Sequence, residues 1–224
     1  MVNETASKGR DWASALTWAW VPMWGRNKAL AGFDRPHNLQ GYAVYDLPFG
    51  RGKQWLSNGV AAAVTGGWQI NTILSRTSGI PFTVATSGSS VNAPGNTQTA
   101  DQVLPTVKIL GGHGPGQPYF DPNAFVPVTA VRFGNSGRDI LRGPGLFNTD
   151  LGLFRTFAIT ERFKLQFRAE AFNISNTPQF GLPAATVSSA TRNSDGSIKA
   201  LNGYTEITSA SGERQLRFAL KFYF

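Results

Sequence analysis

Few residues in this chain could do acid–base or metal chemistry, and their spacing argues against both. His37 in "FDRPHN" lies three residues from Asp34. His113 sits far away in "GGHGPG". A zinc site needs three or four nitrogen or sulfur ligands, and the chain has 2 His and no Cys. No metal or other cofactor is expected, and His37 reads as a structural histidine near a rim. "FGRGK" (49–53) lacks the spacing of a phosphate loop. It reads as part of a turn between antiparallel strands, its cations in water or near lipid headgroups. "GRDILRGPG" (137–145) brings Arg138, Asp139 and Arg142 together, which suggests a locally salt-bridged turn. No Gly-x-Ser-x-Gly elbow and no Ser/His/Asp set in a sensible context occurs, and "NIS" (173–175) and "NGY" (202–204) carry no functional signal. The chain is not expected to be an enzyme.

The elements that would position these residues read as strands. Alternation of polar and apolar residues marks six, near 11–21, 35–48, 62–78, 146–157, 162–174 and 213–224. Successive side chains of a strand point to opposite faces. In the fifth, Phe163, Leu165, Phe167, Ala169 and Ala171 share one face. Lys164, Gln166, Arg168 and Glu170 share the other. In the last, "RQLRFALKFYF", Leu216, Phe218, Leu220, Phe222 and Phe224 oppose Arg217, Ala219, Lys221 and Tyr223. One tight turn, 158–161, joins the fourth and fifth strands. Residues 49–65 form a moderate connection. Residues 78–145 and 174–212 are Gly/Pro/Asn-rich, polar and aperiodic, and read as structureless loops.

Composition supports an all-β chain: 25 Gly and 13 Pro among 224 residues break helices, and aromatics reach 12%. Charged residues are only 15%, against roughly 25% in soluble domains. The net charge of +8 is spread singly, without the Lys/Arg runs of a nucleic-acid binder, so no nucleic-acid partner is expected. No apolar run approaches the ~18 residues of a transmembrane helix, and polar residues follow Met1 without a signal-peptide pattern. Period-2 alternation fits two architectures. A soluble sandwich packs its apolar face inward; an outer-membrane barrel turns that face to lipid and lines its lumen with the polar one. Three features favour the barrel. Strands of 10–12 residues match a tilted membrane crossing of ~9–11. The polar faces carry charges that an aqueous lumen tolerates. Aromatics gather toward strand ends (Trp12, Trp18, Trp20, Trp24, Trp55, Trp68, Phe222, Tyr223, Phe224), as in an interfacial girdle. The expected fold is therefore an antiparallel meander of about six long strands with long loops, part of a transmembrane outer-membrane β-barrel. Lys164, Gln166, Arg168, Glu170, Arg217 and Lys221 are its lumen-facing candidates. Phe167→Arg should then cripple assembly and Gln166→Arg should be tolerated.

Three blocks extend this reading. "FDRPHNLQGYAVYDLPFGRGKQW" (33–55), "FGNSGRDILRGPGLFNTDLGLFRTFAITERFKLQFRAEAFNISNTPQFGLP" (133–183) and the terminal "RQLRFALKFYF" resemble the C-terminal end of TonB-dependent outer-membrane receptors of the Oar-like type. "FRAEAFNISNTPQF" (167–180) is similar to that family's penultimate strand, which ends in an Asn-rich turn. The resemblance implies a 22-stranded barrel with an N-terminal plug and an energy-coupling box. Residues 1–224 would supply its C-terminal strands without a plug, as a fragment, a truncated gene or one part of a split receptor. Partners implied are outer-membrane lipid, the remaining strands and plug of the parent receptor, and TonB through an N-terminal part absent from this chain. The last strand would run from the outside to the periplasm. Phe218, Phe222 and Phe224 would be an assembly signal for the barrel-assembly machinery, which pairs with a free strand edge. The location implied is a Gram-negative outer membrane, and the function uptake or export of a bulky solute. The alternative is a secreted soluble β-sandwich binding carbohydrate through its tryptophans.

Overall fold

The computed structural model describes Trp18, residues 20–93 and residues 96–224. These fall into two compact units, one of long strands and one of connections.

The strand unit takes residues 37–77, 146–179 and 212–224. It holds five strands: β1 (Asn38–Asp46), β2 (Trp68–Thr77), β3 (Leu146–Ala158), β4 (Lys164–Phe172) and β5 (Gln215–Tyr223). They form one antiparallel sheet in sequence order, each paired with its neighbours in the chain. The expected strand near 11–21 lies mostly outside the described residues. Its last residue, Val21, opens a 3-10 helix, Val21–Asn27, with Pro22 in its first turn, where a fixed φ and a missing N–H are tolerated. The strand expected over 62–78 starts late, at Trp68. A short α-helix, α1 (Gly59–Thr65), occupies its first residues. "GVAAAVT" has no polar alternation and three successive alanines, which favour helix.

Register fixes two faces, because residues directly opposite share a side. One face carries rows such as Tyr45–Ile70–Leu153–Ala169–Phe218 and Ala43–Thr72–Leu151–Ala171–Leu216. It is apolar except for threonines and two arginines, Arg76 and Arg155. Nothing in the strand unit covers the β5 part of it: Leu216, Phe218 and Leu220 are 61%, 71% and 68% exposed. β1 and β5 are the two edges of the sheet. Five strands are fewer than the eight of the smallest barrels, and the sheet is not closed.

Register also gives the sheet two distinct ends. The turn 159–163 and the connection 47–67 leave from one end, where Asp46, Trp68, Ala158 and Lys164 lie. The long connections 78–145 and 173–214 leave from the other. That asymmetry is the one expected of short periplasmic turns and long external loops.

The long connections are not structureless, contrary to the sequence reading. With residues 20–36 they fold into the second unit, over 78–145 and 180–211. Its core is Phe82, Val84, Ala100, Phe120, Phe125, Val187, Tyr204 and Ile207, all nearly inaccessible. Phe120 meets Phe125 and Tyr204 edge-on, centroids 6.1 and 5.7 Å apart. Regular structure among its described residues comes in short pieces: 3-10 turns and two- or three-residue pairings such as Pro81–Phe82 with Leu141–Arg142 and Asp101–Gln102 with Phe125–Val126. Gly and Pro deny this unit long ladders, so side chains satisfy much of its backbone. Thr99 Oγ1 donates to the Ser136 carbonyl, and Gln98 accepts from Gly134 N–H. The apolar residues here are set by where each turn happens to point, so no period betrays them.

Candidate functional site

The polar face of the sheet holds all six residues singled out from sequence. Lys164, Gln166, Arg168 and Glu170 of β4 lie beside Tyr223, Lys221, Ala219 and Arg217 of β5, in register. Arg168 pairs with Glu170 at 2.7 Å and lies over the Phe154 ring, 4.7 Å from its centroid. Arg217 donates to Gln215 at 3.2 Å and covers the Phe172 ring. Gln166 donates to Thr156 at 3.3 Å and accepts from the Tyr223 hydroxyl at 3.2 Å. Lys221 sits over the Tyr223 ring, 4.6 Å away. Arg168 and Arg217 are thus held against neighbouring strands by the Phe154 and Phe172 rings, while Glu170 and Lys221 find partners on their own strands. Four cations and one carboxylate leave β4 and β5 positive.

The rest of this face is different in kind. Toward β1 it carries Tyr42, Val44 and Ile73, and the charges are Asp150 on β3 and Asp46 on β1, which accepts from Gln69 at 3.0 Å. The face is therefore graded from cationic at β5 to mixed at β1, where Asn38, Gln40 and Asp46 share it with Tyr42 and Val44. Between the two lies a hollow of about 200 Å³, bounded by Asn71, Ile73, Asp150, Gly152, Phe154 and Glu170. Gly152 creates it: a Cβ there would stand 2.7 Å from the Phe154 ring. Nothing in the sequence pattern singled out Gly152.

Asn173 was also missed, although "NISNT" belongs to the block that carried the resemblance. It adopts a positive φ of 47°, a conformation asparagine tolerates better than most residues. Its N–H donates to Asp150 at 2.8 Å, its Oδ1 accepts from Thr177 N–H at 3.1 Å, and its Nδ2 donates to the Gly212 and Thr177 carbonyls. One buried side chain thus ends β4 and fixes the entry to β5.

Other sequence expectations are corrected. Arg142 does not close a local turn with Asp139. It pairs with Asp34 and donates to the Gly79 carbonyl at 3.1 Å. Arg138 and Asp139 stay close, at 3.8 Å, but both are buried, and Asp139 exchanges hydrogen bonds with Thr83. Of the aromatics assigned to a girdle, Trp18 is buried in the loop unit, 1% exposed. Asn27 bonds its backbone on both sides, and Arg26 lies over its ring. Trp12 lies outside the described residues. Trp55 and Trp68 do lie at the end of the sheet with the short connections. The two histidines belong to different units. His113 stacks on Phe180, centroids 3.9 Å apart. Among the described residues no cluster of three His, Asp or Glu could hold a metal.

Within the loop unit, Trp20, Met23, Val91, Ala93, Val131 and Phe133 line a cleft of about 670 Å³. Beside it the Arg132 guanidinium grips the Asp101 carboxylate, at 2.6 and 2.9 Å. Asp101 also accepts from Asn135 N–H at 2.9 Å. The hydrogen bond from Arg132 is the main cause that holds its carboxyl below the usual aspartate range, against the opposing effect of burial. Burial raises the Tyr204 and Tyr119 hydroxyls above the usual tyrosine range, so both stay neutral.

A sheet with one lipid-like face, one polar face and connections sorted by length between its ends is wall material for a membrane barrel. Sequence comparison agrees: the chain belongs to the outer membrane beta barrel domain family, matched over residues 6–217. It is thus an outer-membrane protein of Gram-negative type. The soluble sandwich is disfavoured, since a sandwich would bury the apolar face under a second sheet. No match was found among curated proteins or solved structures.

Proposed function

We propose that this chain forms part of the wall and external loops of a TonB-dependent receptor of the Oar-like type, moving a bulky solute across the outer membrane. The observation that carries this reading is the folding of the two long connections around a shared aromatic core. Loops with a core present a fixed surface, as ligand capture requires; a general diffusion pore has no need of one. In this reading the cleft at Trp20 and Phe133 belongs to the external surface. Lys164, Gln166, Arg168, Glu170, Arg217 and Lys221 face the lumen, where plug or solute passes. The barrel-assembly machinery would read Phe218, Phe222 and Phe224, which lie on the apolar face of β5 and its continuation.

Planar-bilayer conductance of the whole gene product separates a receptor from a pore. A receptor with its plug in place stays closed and cross-links in cells to the periplasmic domain of TonB. A channel that conducts steadily from the moment of insertion, and forms no such cross-link, overturns the proposal.

A further inference from the structure

The connection between β1 and β2 (47–67) has a composition unlike a plain periplasmic turn. Its only charges are Arg51 and Lys53, and it has no carboxylate. Its apolar residues are unusually open: Trp55 is 55%, Leu56 51%, Val60 79% and Val64 60% exposed. Val60 and Val64 are one helical turn apart on α1 and share a face, while Ala62 is buried at 3%. The segment is nevertheless built. Phe49 and Trp55 are bridged and their rings lie 5.8 Å apart. Gly50 packs on Gly66 so closely that a Cβ on Gly50 would stand 2.4 Å from the Gly66 Cα.

What holds α1 shows which side of the sheet it occupies. The Trp68 indole N–H donates to the Val64 carbonyl at 3.2 Å. The Arg155 guanidinium donates to the carbonyls of Val64 and Ala63. Trp68 and Arg155 are register partners, and both point to the apolar face. Arg155 also lies over the rings of Phe157 and Trp68, 4.4 and 5.5 Å from their centroids. A cation on the lipid-facing surface is thus neutralised by the negative end of a helix, and α1 is tied to the lipid side of the sheet rather than beneath the lumen.

We propose that residues 47–67 form a membrane-interface element that docks on anionic phospholipid of the periplasmic leaflet. Arg51 and Lys53 meet the phosphates. Trp55, Leu56, Val60 and Val64 enter the headgroup–acyl boundary, the placement of an interfacial amphipathic helix. The partner is a lipid surface because the patch continues the apolar face of the sheet and carries cations only. This inference rests on the barrel family alone, not on the receptor reading.

The test uses the full chain and vesicles of phosphatidylcholine with or without phosphatidylglycerol. Each cation near an anionic surface contributes a factor of about five, from roughly 1 kcal/mol. The double variant Arg51→Gln/Lys53→Gln should therefore bind phosphatidylglycerol vesicles about 25-fold more weakly and phosphatidylcholine vesicles unchanged. Both side chains are exposed, so the fold is not at stake. The fluorescence lost in Trp55→Phe isolates Trp55, which shallow-brominated lipid should quench. Equal binding of the double variant and the wild type to both vesicles overturns the proposal, as does a Trp55 signal that brominated lipid leaves untouched. Competition by millimolar inorganic phosphate would mark a small-anion site and overturn it too.

Discussion

The two faces of the sheet make a depth-resolved prediction on β2. At a strand tilt near 40°, each residue advances about 2.5 Å along the membrane normal. The apolar face of β3 runs from Phe147 to Phe157, about 25 Å in that projection, which equals the height of a barrel's apolar band. Leu153, the register partner of Ile70, lies four residues from the Phe157 end, about 10 Å in. Tilt offsets register partners by about 3 Å in depth, so Ile70 is within about 6 Å of the midplane, where an arginine facing lipid costs roughly 2–4 kcal/mol. Ile70→Arg should weaken the urea-resistant, membrane-inserted state by that amount, a factor of about 30 to 1,000 in equilibrium. Asn71→Arg sits at the same depth but points to the polar face beside Val44 and Gly152, and should change stability by less than about 1 kcal/mol. Phe167→Arg should cost less than Ile70→Arg and fall short of the crippling effect that alternation alone suggests, because Phe167 pairs with Arg155 nearer the end of the sheet that carries the short connections. There the cost drops toward about 0–1 kcal/mol. The assay is urea titration of the whole gene product in phospholipid vesicles, followed by tryptophan fluorescence. Equal losses at Ile70 and Asn71 would refute the assignment of faces. A larger loss at Phe167 than at Ile70 would refute the depth scale.

Two further outcomes test the site and the loop unit. Gly152→Leu should cost about 1–3 kcal/mol by overpacking against Phe154, and adding Phe154→Ala should recover most of it in the same urea titration. Asp101 has a depressed folded-state pKa, so its contribution is complete above the free-aspartate value of 3.8 and is lost as pH falls through the lower folded value. Amide exchange at Asn135, whose N–H bonds Asp101, should accelerate below about pH 4, and Asp101→Asn should flatten that dependence.

The sequence by itself determined the five long strands, their order and the side on which each residue falls. Alternation is a local property with a period of two, and a strand next to its chain neighbour needs no distant information. Lys164 through Lys221 could therefore be placed on one face before any coordinates. The tertiary structure alone decided three things. It decided that the Gly/Pro-rich connections share a core, because Phe82, Phe120 and Tyr204 are brought together by irregular turns that leave no period. It decided the partners of charges, as Arg142 finds Asp34 across 108 residues although Asp139 is three residues away. And it decided that the apparent strand start at 62–65 is helix, since Trp68 and Arg155 fasten its last carbonyls from β2 and β3. Each depends on the meeting of side chains far apart in the chain, which composition and alternation do not encode.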